Sequence, residues 1–177
     1  MRKLTNAELN RLSVEKYREQ EKSPLVIVLD NVRSQQNVGS IFRTADAFRV
    51  EAVFLCGITA TPPHREIHRA ALGATESVSW RYFEKTEEAL ARLREEGYLI
   101  VGAEQTDESV PLQDYQPAQD KKLALVFGNE VSGLSGTALP YLDACIEIPQ
   151  FGTKHSFNIA VSAGIVLWDL FVKTHHF

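Results

Sequence analysis

The 177-residue chain is poor in the features that most readily betray a chemistry. Its two cysteines, Cys56 and Cys145, form no CxxC pair, so zinc binding and dithiol exchange lack their ligands. They are expected to be small buried hydrophobes in a reducing cytosol. No apolar run reaches the roughly 20 residues that span a bilayer, and the opening segment MRKLTNAELNRLSVEKYREQEKSP lacks a signal-peptide core, so no membrane association is expected and the expected location is cytoplasmic. Positive charge is not in excess: 19 Lys and Arg stand against 23 Asp and Glu, for a net charge of −4. That balance argues against gripping nucleic acid by bulk electrostatics, so any RNA contact must use a local patch. Repeats and low-complexity tracts are absent.

What is present fits one compact domain: 44% apolar and 24% charged residues are ordinary for a globular chain of this length. The first segment reads as one polar helix ending before Pro24, with its basic residues interleaved by Glu8, Glu15, Glu19 and Glu21 on a solvated face. PLVIVLDNV then has the look of a buried parallel strand, and QQNVGSIFRTADAFRV places Val38, Ile41, Phe42, Ala45 and Phe48 on one helical stripe. The alternation continues through AVFLCG, a helical REIHRAALG, VSWRYF, the helix KTEEALARLREEG closed by Gly97, then YLIVGAE, LALVFG, CIEIP and a final helix in SFNIAVSAGIVLWDLFVK. Strands alternating with helices predict an α/β fold around a mostly parallel sheet.

Ligands of such sheets gather at the carboxyl ends of the strands, here the turns after Leu29, Ala103, Phe127 and Ile148. The turn in LVFGNEVSGLS has glycines, but no Lys-Ser or Lys-Thr pair follows Gly133 to meet phosphate and magnesium, and no third glycine completes a dinucleotide fingerprint. In NVGSIFR, Gly39 permits close approach of another backbone. Asn37 either caps the helix or works in a site, and Arg43 is either a solvated surface residue or a bidentate phosphate clamp. Ser156 reads as an N-cap of the last helix unless it has another role. It has no GxSxG elbow and only an adjacent His155, so a hydrolytic triad is excluded. His64 and His68, four apart in HREIH, are flanked by Arg65 and Arg69, which disfavours a metal site.

Taken in order, NVGSIFRTADAF, LVFGNEVSGLS and IPQFGTKHSFNIAVSAGIVL resemble the three motifs of the SpoU-type, TrmH-like RNA ribose 2′-O-methyltransferases of the SPOUT superfamily. The resemblance implies a catalytic domain over residues 24–177 behind a helical extension of residues 1–23. It also implies a parallel sheet whose C-terminal part is threaded into a deep trefoil knot, and a homodimer packed through the final and first-motif helices. S-adenosylmethionine is the implied methyl donor and a ribose 2′-hydroxyl of RNA the acceptor, with tRNA favoured over rRNA. Catalytic positions would be Asn37, Arg43, Glu130, Ser156 and Asn158. Glu130 would orient Arg43 or the RNA, while Ser156 and Asn158 would shape the knot. Cofactor contacts would come from Glu104, Phe127, Gly128, Ile148, Ser156 and Phe157. Two departures stand out, Phe157 where many relatives have Leu and Gln150 where many have Met. A separate N-terminal RNA-binding domain is not expected, which leaves the N-terminal helix as the accessory RNA contact. The rival expectation is a non-catalytic RNA-binding module that keeps the same fold.

Overall fold

The computed structural model describes residues 1–5, 7–118 and 120–174. The elements follow the expected order, with α4 and β5 additional to it: β1 (Ser23–Asp30), α2 (Gln35–Ala47), β2 (Val50–Cys56), α3 (Arg65–Ala71), α4 (Ala74–Ser77), β3 (Ser79–Phe83), α5 (Thr86–Glu95), β4 (Tyr98–Ala103), β5 (Val110–Pro111), β6 (Lys122–Phe127), β7 (Ala144–Glu147) and α6 (Ile159–Thr174), all after a short α1 (Val14–Glu19). The strands form one seven-stranded sheet in the order β3-β2-β1-β6-β4-β7-β5. Every pairing in it is parallel. Among the described residues, no helix is long and apolar enough to cross a membrane.

Both faces of the sheet are covered, which is why its central strands read as unbroken apolar runs rather than alternating ones. Ile27 and Leu29 of β1 and Leu123 and Leu125 of β6 pack with Val38, Ile41 and Phe42 of α2 and with Val166, Leu167 and Leu170 of α6. The intervening Val26, Val28, Ala124 and Val126 point the other way, onto Leu90 and Leu93 of α5. Cys56 lies in this second layer, where burial chiefly, with Asp30 nearby, pushes its thiol up to about 12. Cys145 is only partly buried, contrary to expectation, although desolvation still raises its thiol.

The N-terminal reading needs correction. Only Val14–Glu19 is helical, capped by Ser13, whose side chain accepts the Lys16 N–H. Asn10 has a left-handed φ of 47°, and Leu4, Leu9 and Leu12 are exposed, so the preceding residues offer no apolar stripe. Without one, the cost of nucleating a longer helix is not recovered. The short helix is anchored by Tyr17, which is buried beneath the Lys22 ammonium, and by Arg18, whose Nε donates to the Glu76 carbonyl at 3.1 Å.

Gly39 sits where α2 crosses α3. A Cβ there would lie 2.5 Å from the Ile67 carbonyl oxygen and 2.7 Å from the Ala70 Cβ. The close approach expected from sequence is thus a backbone contact that no side-chain rotation can relieve. Although alanine is the better helix former, Gly39→Ala is expected to destabilise the protein by about 1–3 kcal/mol through overpacking, read as a lowered urea midpoint with an unchanged slope.

Candidate active site

Register assembles the site. Leu29 pairs with Phe127, Phe127 with Ala103, and Ala103 with Ile146, so the ends of β1, β6, β4 and β7 lie in one row. The turns that follow these strands therefore converge on one edge, the usual ligand position of an open parallel sheet.

The loop after β6 is pulled tight by a pair of reciprocal backbone bonds, Asn129 N–H to the Gly133 carbonyl at 2.9 Å and Gly133 N–H to the Asn129 carbonyl at 3.0 Å. Its glycines are compulsory. A Cβ on Gly128 would lie 2.2 Å from the Gly133 carbonyl carbon, and Gly133 has a φ of +68° with the Glu104 Oε2 2.1 Å from its would-be Cβ. Two carboxylates from neighbouring strands then hold the returning chain: Glu104 Oε2 accepts the Leu134 N–H at 2.9 Å and Asp30 Oδ2 accepts the Ser135 N–H at 2.7 Å. Asp30 is fully buried, and its other oxygen accepts from the Thr86 hydroxyl at 2.6 Å and from Asn31 Nδ2 at 2.8 Å. Such saturation with donors is what allows a carboxylate to sit inside the fold.

Glu130 reaches back to the turn after β1. Its Oε2 accepts the Arg33 N–H at 2.9 Å, and its Oε1 accepts the Ser34 N–H at 2.9 Å and the Asn37 Nδ2 at 3.0 Å. Asn37 Oδ1 in turn accepts from Asn158 Nδ2 at 3.1 Å. One residue from each of the three sequence motifs is thereby joined in a single chain of hydrogen bonds. Partial burial pushes the Glu130 carboxyl up, but the donors from Arg33, Ser34 and Asn37 together outweigh it and leave the group below its ordinary value. A low-pKa carboxylate with both oxygens engaged is a poor proton acceptor, so its part in this chain is to hold the turn and Asn37. Within the chain it is not bonded to Arg43.

Both open capping questions are answered by hydrogen bonds. Ser34, not Asn37, caps α2 by accepting the Asn37 N–H at 3.3 Å, which leaves the Asn37 amide to the network. Asn158, not Ser156, caps α6 by accepting the Ala160 N–H at 2.9 Å. The exposed Ser156 lies instead with Glu104, Ile148 and Phe157 on the wall of a cleft that Gln150 and His155 complete. Gly128 stands one residue past the row pairing Phe127 with Ala103, beside this cleft's Glu104 edge. The Phe127 ring is packed in the core, so any ligand contact from that residue is through its backbone. Arg43 lies elsewhere, exposed in a groove with Arg11, Tyr17 and Arg49. Among the described residues, no His, Cys, Asp and Glu cluster could hold a metal ion, and His64 is occupied in capping α3.

Sequence reasoning passed over Asp30 and Asn129. Asn129 donates from Nδ2 to the Asn31 carbonyl at 2.7 Å and accepts the Val131 N–H at 2.9 Å, binding the first turn to the loop. The available signal was a carboxylate and an amide placed directly after apolar strand runs, VLDN and VFGN.

A parallel sheet whose strand-end turns converge beside a cleft with no Lys or Arg in its described wall has the ligand-site arrangement of an open α/β fold. The SpoU rRNA Methylase family matches residues 24–168, and the chain belongs to it. It is 30% identical over 162 residues to a Staphylococcus haemolyticus protein assigned to the TrmH family of tRNA/rRNA methyltransferases, covering 92% of this chain and 64% of that one. It is 33% identical over 144 residues to the 23S rRNA (guanosine-2′-O-)-methyltransferase RlmB of Neisseria meningitidis, covering 81% and 56%. The chain thus spans less than two thirds of these curated relatives. Among solved structures, the TrmH/SpoU tRNA modifying enzyme of A. aeolicus superimposes with a TM-score of 0.79 at 25% identity, over 90% of this chain and 81% of that one. An AdoMet-bound rRNA methyltransferase from Sinorhizobium meliloti does so with 0.78 at 29% identity, over 87% and 59%.

Replacing Glu130 by Gln keeps the shape but turns one acceptor into a donor facing N–H groups. At neutral pH Glu130→Gln is expected to cost about 1 kcal/mol, a charged hydrogen-bond contribution discounted for exposure. Because the folded carboxyl is held low, its stabilisation is present above the unfolded value of about 4.3 and lost as pH falls through the lower folded value. The wild-type advantage in urea midpoint should therefore be full at neutral pH and shrink steadily as the pH is taken below 4.3.

Proposed function

We propose that this chain transfers a methyl group from S-adenosylmethionine to a ribose 2′-hydroxyl of RNA, acting as a homodimer. The observation that carries this reading is the Glu130–Asn37–Asn158 network, which joins the three motifs beside the cleft of Glu104, Ile148, Ser156 and Phe157. The residues present suit the cofactor: glycine backbone and apolar Ile148 and Phe157 for an adenosine, with no lysine where a phosphate would need one. When bound, S-adenosylmethionine supplies an electrophilic methyl. The protein's task is then orientation of two reactants and management of one proton. A guanidinium is a reluctant base, so in this reading Arg43 holds the phosphate beside the target ribose and stabilises the forming alkoxide, while the hydroxyl proton leaves to solvent.

Two features support the dimer in this reading. Val161, Trp168 and Val172 form an exposed apolar stripe along α6. Arg43 shares no hydrogen bond with the Asn37 network of its own chain, so a second copy packed on this face would complete each site. The C-terminal knot belongs to the same reading. Residues 24–177 are the catalytic unit here and residues 1–23 an extension, with tRNA the first substrate to test and rRNA the second.

The test is incubation with methyl-labelled S-adenosylmethionine and unmodified tRNA and rRNA fractions, followed by alkaline digestion. Label in alkali-resistant dinucleotides is expected, because a 2′-O-methyl blocks cleavage at that linkage. Arg43→Ala should lose about 10²- to 10³-fold in transfer while calorimetric cofactor affinity is unchanged. Near-normal turnover by Arg43→Lys would remove the requirement for a planar guanidinium. Cofactor binding without transfer to any fraction would favour the non-catalytic RNA-binding module.

A further inference from the structure

The free edge of β3 carries an exposed tryptophan. Trp80 pairs with Val53, a residue of the α2-side core, so its side chain leaves the sheet on the face where α3 packs. β3 is the terminal strand and Trp80 remains 38% exposed. Between it and α3 runs a groove of about 560 Å³ whose wall includes Pro63, His64, Arg65, His68 and Glu76. Arg65 makes no ion pair among the described residues, whereas the nearby Glu66 is neutralised by Arg69 at 2.9 Å and does not line the groove. His64 Nδ1 accepts the Glu66 N–H at 3.2 Å, which makes its Nε2 the nitrogen that donates.

We propose that this groove stacks an unpaired base of the RNA substrate on Trp80; the proposal rests on the RNA-methylation reading above. Glu76 of α4 also lines the adjoining groove that holds Arg43, Arg11, Arg49 and Asp46, so the two grooves meet at α4. None of these three arginines makes an ion pair among the described residues. A strand laid from Arg43 toward β3 meets unpaired guanidinium groups along its phosphates and then an aromatic face for a base. That concentration is notable in a chain of net charge −4, which must recruit RNA through a local patch. Aromatic stacking accepts any base, Arg65 and the histidine donors suit the flanking phosphate, and the Glu76 carboxylate suits an exocyclic amino group rather than a phosphate.

The test compares the full chain with Trp80→Ala, Trp80→Phe and Arg65→Gln, using unmodified tRNA transcripts and a short fluorescein-labelled mixed-sequence oligoribonucleotide as probes. Loss of one stacked base is expected to weaken RNA affinity about tenfold in Trp80→Ala, with Trp80→Phe recovering most of it. In turnover, the change should fall on KM for RNA rather than on kcat, with cofactor affinity and melting temperature unchanged. Arg65→Gln should reduce the salt dependence of binding by about one phosphate contact. The proposal is overturned if folded Trp80→Ala binds both probes like the wild type. It is equally overturned if its loss of RNA affinity only parallels losses in cofactor affinity and melting temperature, since that is a structural role. Wild-type protein that methylates RNA while Trp80→Ala is unaffected removes the stacking site alone; wild-type protein that binds no RNA removes the methylation reading together with it.

Discussion

The site depends on carboxylates that hold backbone amides. Asp30 at the end of β1 and Glu104 just past β4 receive consecutive N–H groups, those of Ser135 and Leu134, and so pin the returning limb of the loop after β6. Glu130, within that loop, then binds Arg33 and Ser34 N–H groups at the turn after β1. A loop with exposed polar backbone has little apolar area with which to hold its shape. Charge-assisted bonds to amides supply that rigidity and are roughly twice as strong as neutral ones. The cost is that buried Asp30 tolerates no loss of partners, so Thr86 and Asn31 complete its shell.

This arrangement explains why the loop uses glycine where it does. Gly128 and Gly133 face each other at backbone contact, and the Glu104 carboxylate occupies the space where a Gly133 side chain would be. The glycines serve the closure of the loop, which brings its returning limb onto the Glu104 carboxylate. The same economy appears at Gly39, where α2 and α3 meet at backbone distance and fix the position of Asn37 two residues earlier.

Much of the fold was legible because a two-sided parallel sheet demands continuous apolar strands and amphipathic covering helices, and both patterns are local. The N-terminal segment was misjudged for the complementary reason. Its helix length depends on Tyr17 and Arg18 finding α4 and neighbouring core, contacts that helical periodicity does not encode. The helix caps were left open between plausible neighbours: Ser34 and Asn37 both suit an N-cap, as do Ser156 and Asn158. The choice rests on which amide is needed elsewhere.

By itself, then, the order of residues determined the strand and helix alternation, the glycine-rich turn after Phe127 and the three motifs, since each is a matter of neighbours along the chain. Tertiary structure alone decided that Glu130 meets Asn37 across 93 residues, that Asn37 meets Asn158 across 121, and that Asp30 meets Ser135 across 105. It also decided that Arg43 turns toward a different groove and that Trp80 stands beside His64 and Arg65. The physical reason is register: parallel pairing sets which strand ends share a row, and only that row brings distant carboxylates and amides within hydrogen-bond reach.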